Sequence, residues 1–260
     1  MNQYLSDVWK VRYFWWHLSM SDLRSRFRRS YFGMLWAVMQ PLGLTVLISL
    51  VFSRLFNQPI AEYAPYILSG IIVWEYITAT TVGGALAFVQ ADAYIKQTRH
   101  PLAIYTLRNV VTGLIVMSVA SLALVAWVVL FFPGNIGWSW LAAPTIFPLI
   151  AMIAWPLATI MAYIGVRFRD LPNALALILQ AAWFVSPVYF MDTMFRNGGL
   201  GFLLDYNPIY HLLQIVRAPV LQGEWPTATN YAWCLATAAA LAMVAALLGK
   251  RSEKNVIFYL

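Results

Sequence analysis

Arg24-Ser-Arg26-Phe-Arg28-Arg29, followed by an apolar run over 34–56, is the stretch on which the reading of this chain turns. The arginines sit just ahead of a segment long enough to cross a bilayer, for which about 20 apolar residues suffice. Segments flanked by Lys and Arg stay on the cytoplasmic side, so the cluster orients the first span and every later one. Two roles fit it. Arg24, Arg26, Arg28 and Arg29 either only orient the chain against lipid headgroups, or they also recognise the headgroup of a negatively charged substrate. Position alone favours orientation.

Composition agrees with a membrane protein. The chain is 62% hydrophobic and only 10% charged, whereas a typical soluble domain is about 25% charged. Its net charge of +7 would suit nucleic acid, but the charges cluster between apolar runs, where positive-inside asymmetry accounts for them. A single cysteine, Cys234, excludes an intrachain disulfide. No secretory signal peptide is expected, because 1–33 is mostly polar or aromatic.

Within 1–33, Leu5, Val8, Trp9, Tyr13, Trp16 and Met20 recur at helical spacing and predict a helix lying in the interface, aromatic face in the headgroups. Ser21 would cap a second helix carrying the stripe Leu23, Phe27, Tyr31 and Met34. Spans follow at 34–56, 66–88, 102–131, 143–166 (broken by Pro148 and Pro156), 173–190 and 228–248. Ala79, Gly83 and Ala87 offer the second span a small-residue face. Arg108 would snorkel from the third. The polar connection 89–101 holds Asp92, Tyr94, Lys96, Arg99 and His100, and reads as a short cytoplasmic helix.

Residues 191–227 carry an apolar stretch, 208–221, that suits a re-entrant hairpin better than a crossing. Parity supports this. Six crossings leave Lys250, Arg251 and Lys254 inside, with all basic residues but Arg54, Arg196 and Arg217 cytoplasmic. The expected fold is therefore all-α: interfacial helices over 1–33, a six-span domain over 34–250, a tail over 251–260, and both termini cytoplasmic.

Catalytic constellations are missing from the sequence. His17, His100 and His211 are scattered, and no paired cysteines or HExxH motif occur. Gly249-Lys250 is the nearest approach to a phosphate-binding loop, but Val244 and Arg251 break the pattern. Glu75 is the one carboxylate near the middle of a span, where ionisable groups face a cavity or a partner. Trp74, Tyr76, Phe88, Trp183, Phe184 and Tyr189 could line a conduit by stacking on sugars, although packing explains any one of them as well.

Four stretches carry a resemblance. Arg26-Phe-Arg28-Arg29-Ser30-Tyr-Phe-Gly33-Met-Leu-Trp36-Ala-Val-Met-Gln-Pro41 resembles the first-span motif of ABC-2 type permeases that export bacterial polysaccharides. Tyr94-Ile-Lys96 with His100-Pro101-Leu102 is similar to their cytoplasmic coupling segment. Arg169-Asp170-Leu171, continuing to Ser186-Pro187-Val188, is similar to their fourth-to-fifth-span signature. Asn207-Pro208 with Arg217 and Gly223 is similar to their outer re-entrant helices. Phe27, where the family often has tyrosine, and the bulky Tyr31-Phe32 are mild departures.

The resemblance implies a non-catalytic permease subunit in a bacterial inner membrane. It implies a homodimer joined by two copies of a separate ATPase, which holds the ATP and Mg, leaving this chain without a cofactor. The cargo would be a lipid-linked glycan, with O antigen on a polyprenyl pyrophosphate the leading case and capsule or teichoic acid precursors or drug-like molecules the alternatives. Asp92, Tyr94, Lys96, Arg99 and His100 would meet the ATPase, and Asn207, Pro208 and Arg217 would form the outer gate. A membrane-embedded glycosyl- or acyltransferase would need paired carboxylates, and the external loop offers only Asp192, Asp205 and Glu224, widely spaced. A secondary transporter would show repeated halves, and none is visible.

Overall fold

The computed structural model describes residues 2–98 and 100–260. Arg99, named above for coupling, lies outside the described residues. Among the described residues the regular elements are all helical.

The chain begins with α1 (Asn2–Lys10) and α2 (Arg12–Phe27), which meet at Val11. The expected break at Ser21 does not occur. Ser21 is exposed on a continuous helix that is fixed from its neighbouring turns. Ser19 Oγ donates to the Trp15 and Arg108 carbonyls at 2.8 and 3.2 Å, and Asp22 pairs with Arg108 at 3.0 Å. Arg108 thereby fastens α2 to the helix that begins at Ala103. Trp9, Tyr13 and Trp16 are exposed as an interfacial face would be, but Val8 turns inward and is buried. The stripe expected through Tyr31 ends at Phe27. Arg28 is extended at ψ 133° and ends the helix, Arg29 follows with a left-handed φ of 66°, and Tyr31 points outward.

Next come α3 (Trp36–Leu55) and α4 (Ile60–Gln90). α3 buries Ala37, Pro41, Thr45, Ser49 and Ser53 at four-residue spacing and exposes Leu47, Leu50 and Val51. In lipid this inversion is the stable one, because small residues let backbones approach while leucine is at home among acyl chains. α4 is the central helix: 61% of its most apolar window is buried, against 22% in α3.

The short α5 (Asp92–Gln97) follows, then α6 (Ala103–Phe131) and, after a 3₁₀ stretch over Trp138–Thr145, α7 (Ile146–Gly165). Pro148 does not break its span. It falls in the first turn of α7, where no hydrogen bond is lost. The small residues of α4 serve two neighbours rather than one face. Gly83 meets the Asn109 side chain of α6, and Gly84 lies so close to α7 that a Cβ there would come 2.7 Å from Ala158 Cα. Ala79 instead borders a cavity.

α8 (Leu171–Val185) was expected to extend over 173–190 but stops after 15 residues. At 1.5 Å per residue it covers about 22 Å of a hydrocarbon layer of about 30 Å. The cause is local: Pro187 excludes Ser186 from the helical region, and Ser186 is extended at ψ 144°. Beyond it lie α9 (Asp192–Asn197), α10 (Gly201–Asp205) and α11 (Pro208–Arg217), which runs into a π turn over Ala218–Gln222. α12 (Ala228–Ser252) returns along α7. Among the described residues, five stretches are long and apolar enough to cross a membrane, namely Gly33–Leu55, Ile60–Gln90, Ala103–Phe131, Trp138–Gly165 and Ala228–Ser252. The chain is a multi-pass membrane protein.

Candidate functional site

A cavity of about 640 Å³ opens between α3, α4 and α8 and is reached by the end of α2. Three tryptophans supply its flat apolar surfaces: Trp36 from α3, Trp74 from α4 and Trp183 from α8. Between them stand Gln40, Thr78, Gln180 and Glu75, with Arg26 and Ser30 at the end where α3 begins. Gln40 Nε2 donates to Glu75 Oε1 at 3.2 Å, joining α3 to α4 across the cavity wall. Thr78 Oγ1 and Trp183 Nε1 are buried and find no hydrogen-bond partner among the described residues, an uncommon state for buried polar atoms. Tryptophan faces beside amides, a hydroxyl and a carboxylate make a surface suited to a molecule that is apolar on its faces and rich in hydroxyls at its edges.

The structure brings together residues that the sequence presents separately. Arg26, Trp74, Glu75 and Trp183 share this cavity. Arg24, Arg28 and Arg29 are exposed and do not line it. Tyr76 and Phe88, expected on a conduit, do not line it either. Tyr76 is buried in the core between α4, α6 and α7, against Gly113, and Phe88 packs edge-on to Tyr163 at 5.2 Å. Both lie on faces of α4 turned toward neighbouring helices.

Phe184 and Tyr189 belong to an aromatic roof next to the cavity. Tyr189 meets Trp183 edge-to-face at 5.6 Å and lies tilted against Phe52 at 5.8 Å and Phe190 at 4.5 Å, while Phe184 meets it edge-to-face at 6.1 Å. This roof rests on the non-helical segment 186–191, whose carbonyls need partners because lipid supplies none. Tyr63 Oη donates to the Tyr189 carbonyl at 2.8 Å, and the Tyr66 hydroxyl shares its one proton between the Phe190 carbonyl at 3.0 Å and Asp192 Oδ1 at 2.8 Å. Arg217 does the rest. It is 1% exposed and donates to the Pro187 carbonyl at 2.7 Å, the Val188 carbonyl at 2.9 Å, the Tyr66 carbonyl at 3.1 Å and Ser69 Oγ at 3.1 Å. Its guanidinium lies 3.6 Å over the Tyr66 ring. Asn207 caps α11 by accepting from the Ile209 amide at 2.9 Å and donates to Ser186 Oγ at 3.1 Å, with Pro208 in the first turn.

The acids of the outer loop are engaged separately. Asp192 accepts from Tyr66 Oη and Gln214 Nε2, each at 2.8 Å, and Asp205 pairs with Arg196 at 3.1 Å. Neither forms the carboxylate pair that glycosyl transfer would use.

At the opposite end, α5 is an exposed ledge. Asp92 pairs with Lys96 at 2.8 Å, Tyr94 is partly exposed, and the His100 ring lies 5.1 Å from Phe14 of α2. Tyr4 Oη donates to Glu253 Oε1 at 3.1 Å, and Glu253 also accepts from the Leu102 amide at 3.4 Å. The chain's two ends are thereby tied to the start of α6. Burial, then the Glu253 charge, pushes the Tyr4 hydroxyl up from its ordinary value. Burial also raises the Asp22 carboxyl, against the opposing pull of Arg108.

Sequence reasoning missed Trp36, Gln40, Thr78 and Gln180 as cavity residues. The available signal was amides within apolar runs, which lipid does not tolerate without a partner or a cavity.

Residues 13–221 match the family described as ABC-2 type transporter. Two proteins of Klebsiella pneumoniae named O-antigen export system permease protein RfbA are similar. One is 25% identical over 93 residues, 36% of each chain, and the other 23% identical over 124 residues, 47% of this chain and 48% of the relative. The Myxococcus xanthus protein of the same name is 26% identical over 97 residues, 37% of each chain. The chain thus spans less than half the length of these curated relatives.

Proposed function

The chain belongs to the ABC-2 type transporter family, and on that premise we propose that it is the permease subunit of an ATP-driven exporter of lipid-linked polysaccharide. The observation that carries this reading is the cavity of about 640 Å³ walled by three tryptophans, two glutamines and a carboxylate. Aromatic planes stack on the C–H faces of sugars, while amides and carboxylates take their hydroxyls. The names of the relatives favour O antigen as the glycan, carried on a polyprenyl pyrophosphate.

Two copies of the chain pair with two copies of a separate ATPase in the bacterial inner membrane, and ATP and Mg belong to that partner. The exposed ledge of α5, with Asp92, Tyr94, Lys96 and His100 and the adjoining Arg99, docks on the ATPase. The chain crosses six times. α8 and the extended segment after it make the fifth crossing, α11 dips back as a re-entrant helix, and both termini stay in the cytoplasm. Arg217, Asn207 and Pro208 hold the outer gate closed, and its aromatic roof seals the cavity from the outside.

Depletion of the protein in its own bacterium tests this reading. Lipid-linked glycan is expected to accumulate inside the inner membrane, identified by mass spectrometry of the lipid extract, while surface glycan declines. Undiminished surface glycan with no lipid-linked intermediate would exclude polysaccharide export.

A further inference from the structure

The charges of the cavity are placed at different depths. Arg26 ends α2, next to the point where α3 begins, and reaches the cavity from there. Glu75 sits at the level of Gln40, to which it is hydrogen-bonded at 3.2 Å. Gln40 is one helical turn beyond Trp36, about 6 Å further along α3. Past Glu75 the lining residues Ile71, Trp74, Leu179 and Trp183 carry no charge. The cavity therefore offers a cation at its rim, a carboxylate one turn inside, and neutral aromatic walls beyond.

We propose that this order sorts the substrate by charge: the rim arginine takes the phosphate of the lipid carrier, and Glu75 keeps other anions out, so that the sugars entering the cavity are uncharged. The inference rests on the proposed function of the cavity and narrows its substrate to glycans whose carrier-proximal sugars bear no carboxylate or phosphate. Guanidinium binds phosphate oxygens in pairs. Once it does so, its charge is neutralised, and an anionic sugar one turn deeper meets only the carboxylate. A neutral sugar instead gains an acceptor in Glu75 Oε2 and donors in Thr78 Oγ1 and Trp183 Nε1, two buried atoms of cavity-lining residues that have no partner among the described residues. Repulsion between like charges is strong where the surroundings are poorly polarisable, so one carboxylate suffices to discriminate.

Two synthetic prenyl-pyrophosphate trisaccharides test this, identical except that the first sugar is a hexose in one and the corresponding uronate in the other. Their binding to the purified full-length permease in nanodiscs is measured for wild type, Glu75→Gln and Ala79→Trp. Wild type is expected to bind the neutral probe at least ten-fold more tightly. Glu75→Gln, which keeps the size and a hydrogen bond to Gln40, is expected to bring the two affinities within two-fold. Equal affinities in wild type, or an unchanged preference in Glu75→Gln, would overturn the charge sorting. Ala79→Trp separates this from the underlying reading. If filling the cavity weakens both probes, the cavity binds the glycan whatever the charge result. If it weakens neither, the glycan binds elsewhere and both the sorting and the cavity reading fall.

Discussion

Replacing Arg217 by Met is expected to stop export and to lower the midpoint of thermal unfolding by roughly 5 °C or more. The side chain is fully buried and donates to three carbonyls and one hydroxyl. Two of those carbonyls, of Pro187 and Val188, belong to non-helical backbone. Methionine fills the space but leaves them unpaired, at about 1–3 kcal/mol each. The aromatic roof that rests on this segment would then lose its position. Arg217→Lys keeps the charge but not the fork, so it can reach only some of the acceptors, and an intermediate loss is expected. Thermal melting in detergent and surface-glycan staining measure the two effects. A methionine variant with wild-type stability and export would mean that segment 186–191 is held by other contacts.

The second large effect separates the arginines. Arg26 reaches the cavity, whereas Arg24, Arg28 and Arg29 are exposed outside it. Arg26→Gln is expected to reduce export more than ten-fold, with lipid-linked glycan accumulating inside, while the triple change of Arg24, Arg28 and Arg29 to Lys leaves export close to wild type. Lysine preserves the positive-inside signal, so that comparison removes orientation as an explanation. Membrane levels of each variant, read by immunoblot, guard against failed insertion. Equal export from Arg26→Gln and wild type would reduce the cluster to an orientation signal.

Hydrophobic length made the membrane class and most span positions readable from the sequence, because a run such as 102–131 has no other stable environment. Three features resisted it. The end of α8 depends on Pro187, and on a distant Arg217 that makes unwound backbone tolerable; nothing local in 173–190 announces the partner. The break between the interfacial helices falls at Val11 rather than Ser21, because Asp22 and Ser19 are drawn onto Arg108 and the carbonyl beside it, contacts across more than eighty residues.

The cavity was the third. Glu75, Trp74, Trp183 and Arg26 were each visible as residues of interest, but their convergence is a property of how α3, α4 and α8 pack. Tyr76 shows the reverse. As the neighbour of Glu75 it looks equally suited to a conduit, yet a step of 100° around α4 turns it into the core.

On the proposed function, this chain, driven by a separate ATPase, would move a lipid-linked glycan across a membrane. Reconstituted proteoliposomes measure that directly. The permease and its ATPase are inserted with fluorescently labelled prenyl-pyrophosphate glycan, and a membrane-impermeant glycosidase reports when label reaches the opposite leaflet. The account predicts translocation that requires both subunits and ATP, and that falls more than ten-fold with Arg26→Gln. Translocation independent of ATP, or none in the complete system despite ATP hydrolysis, would contradict it.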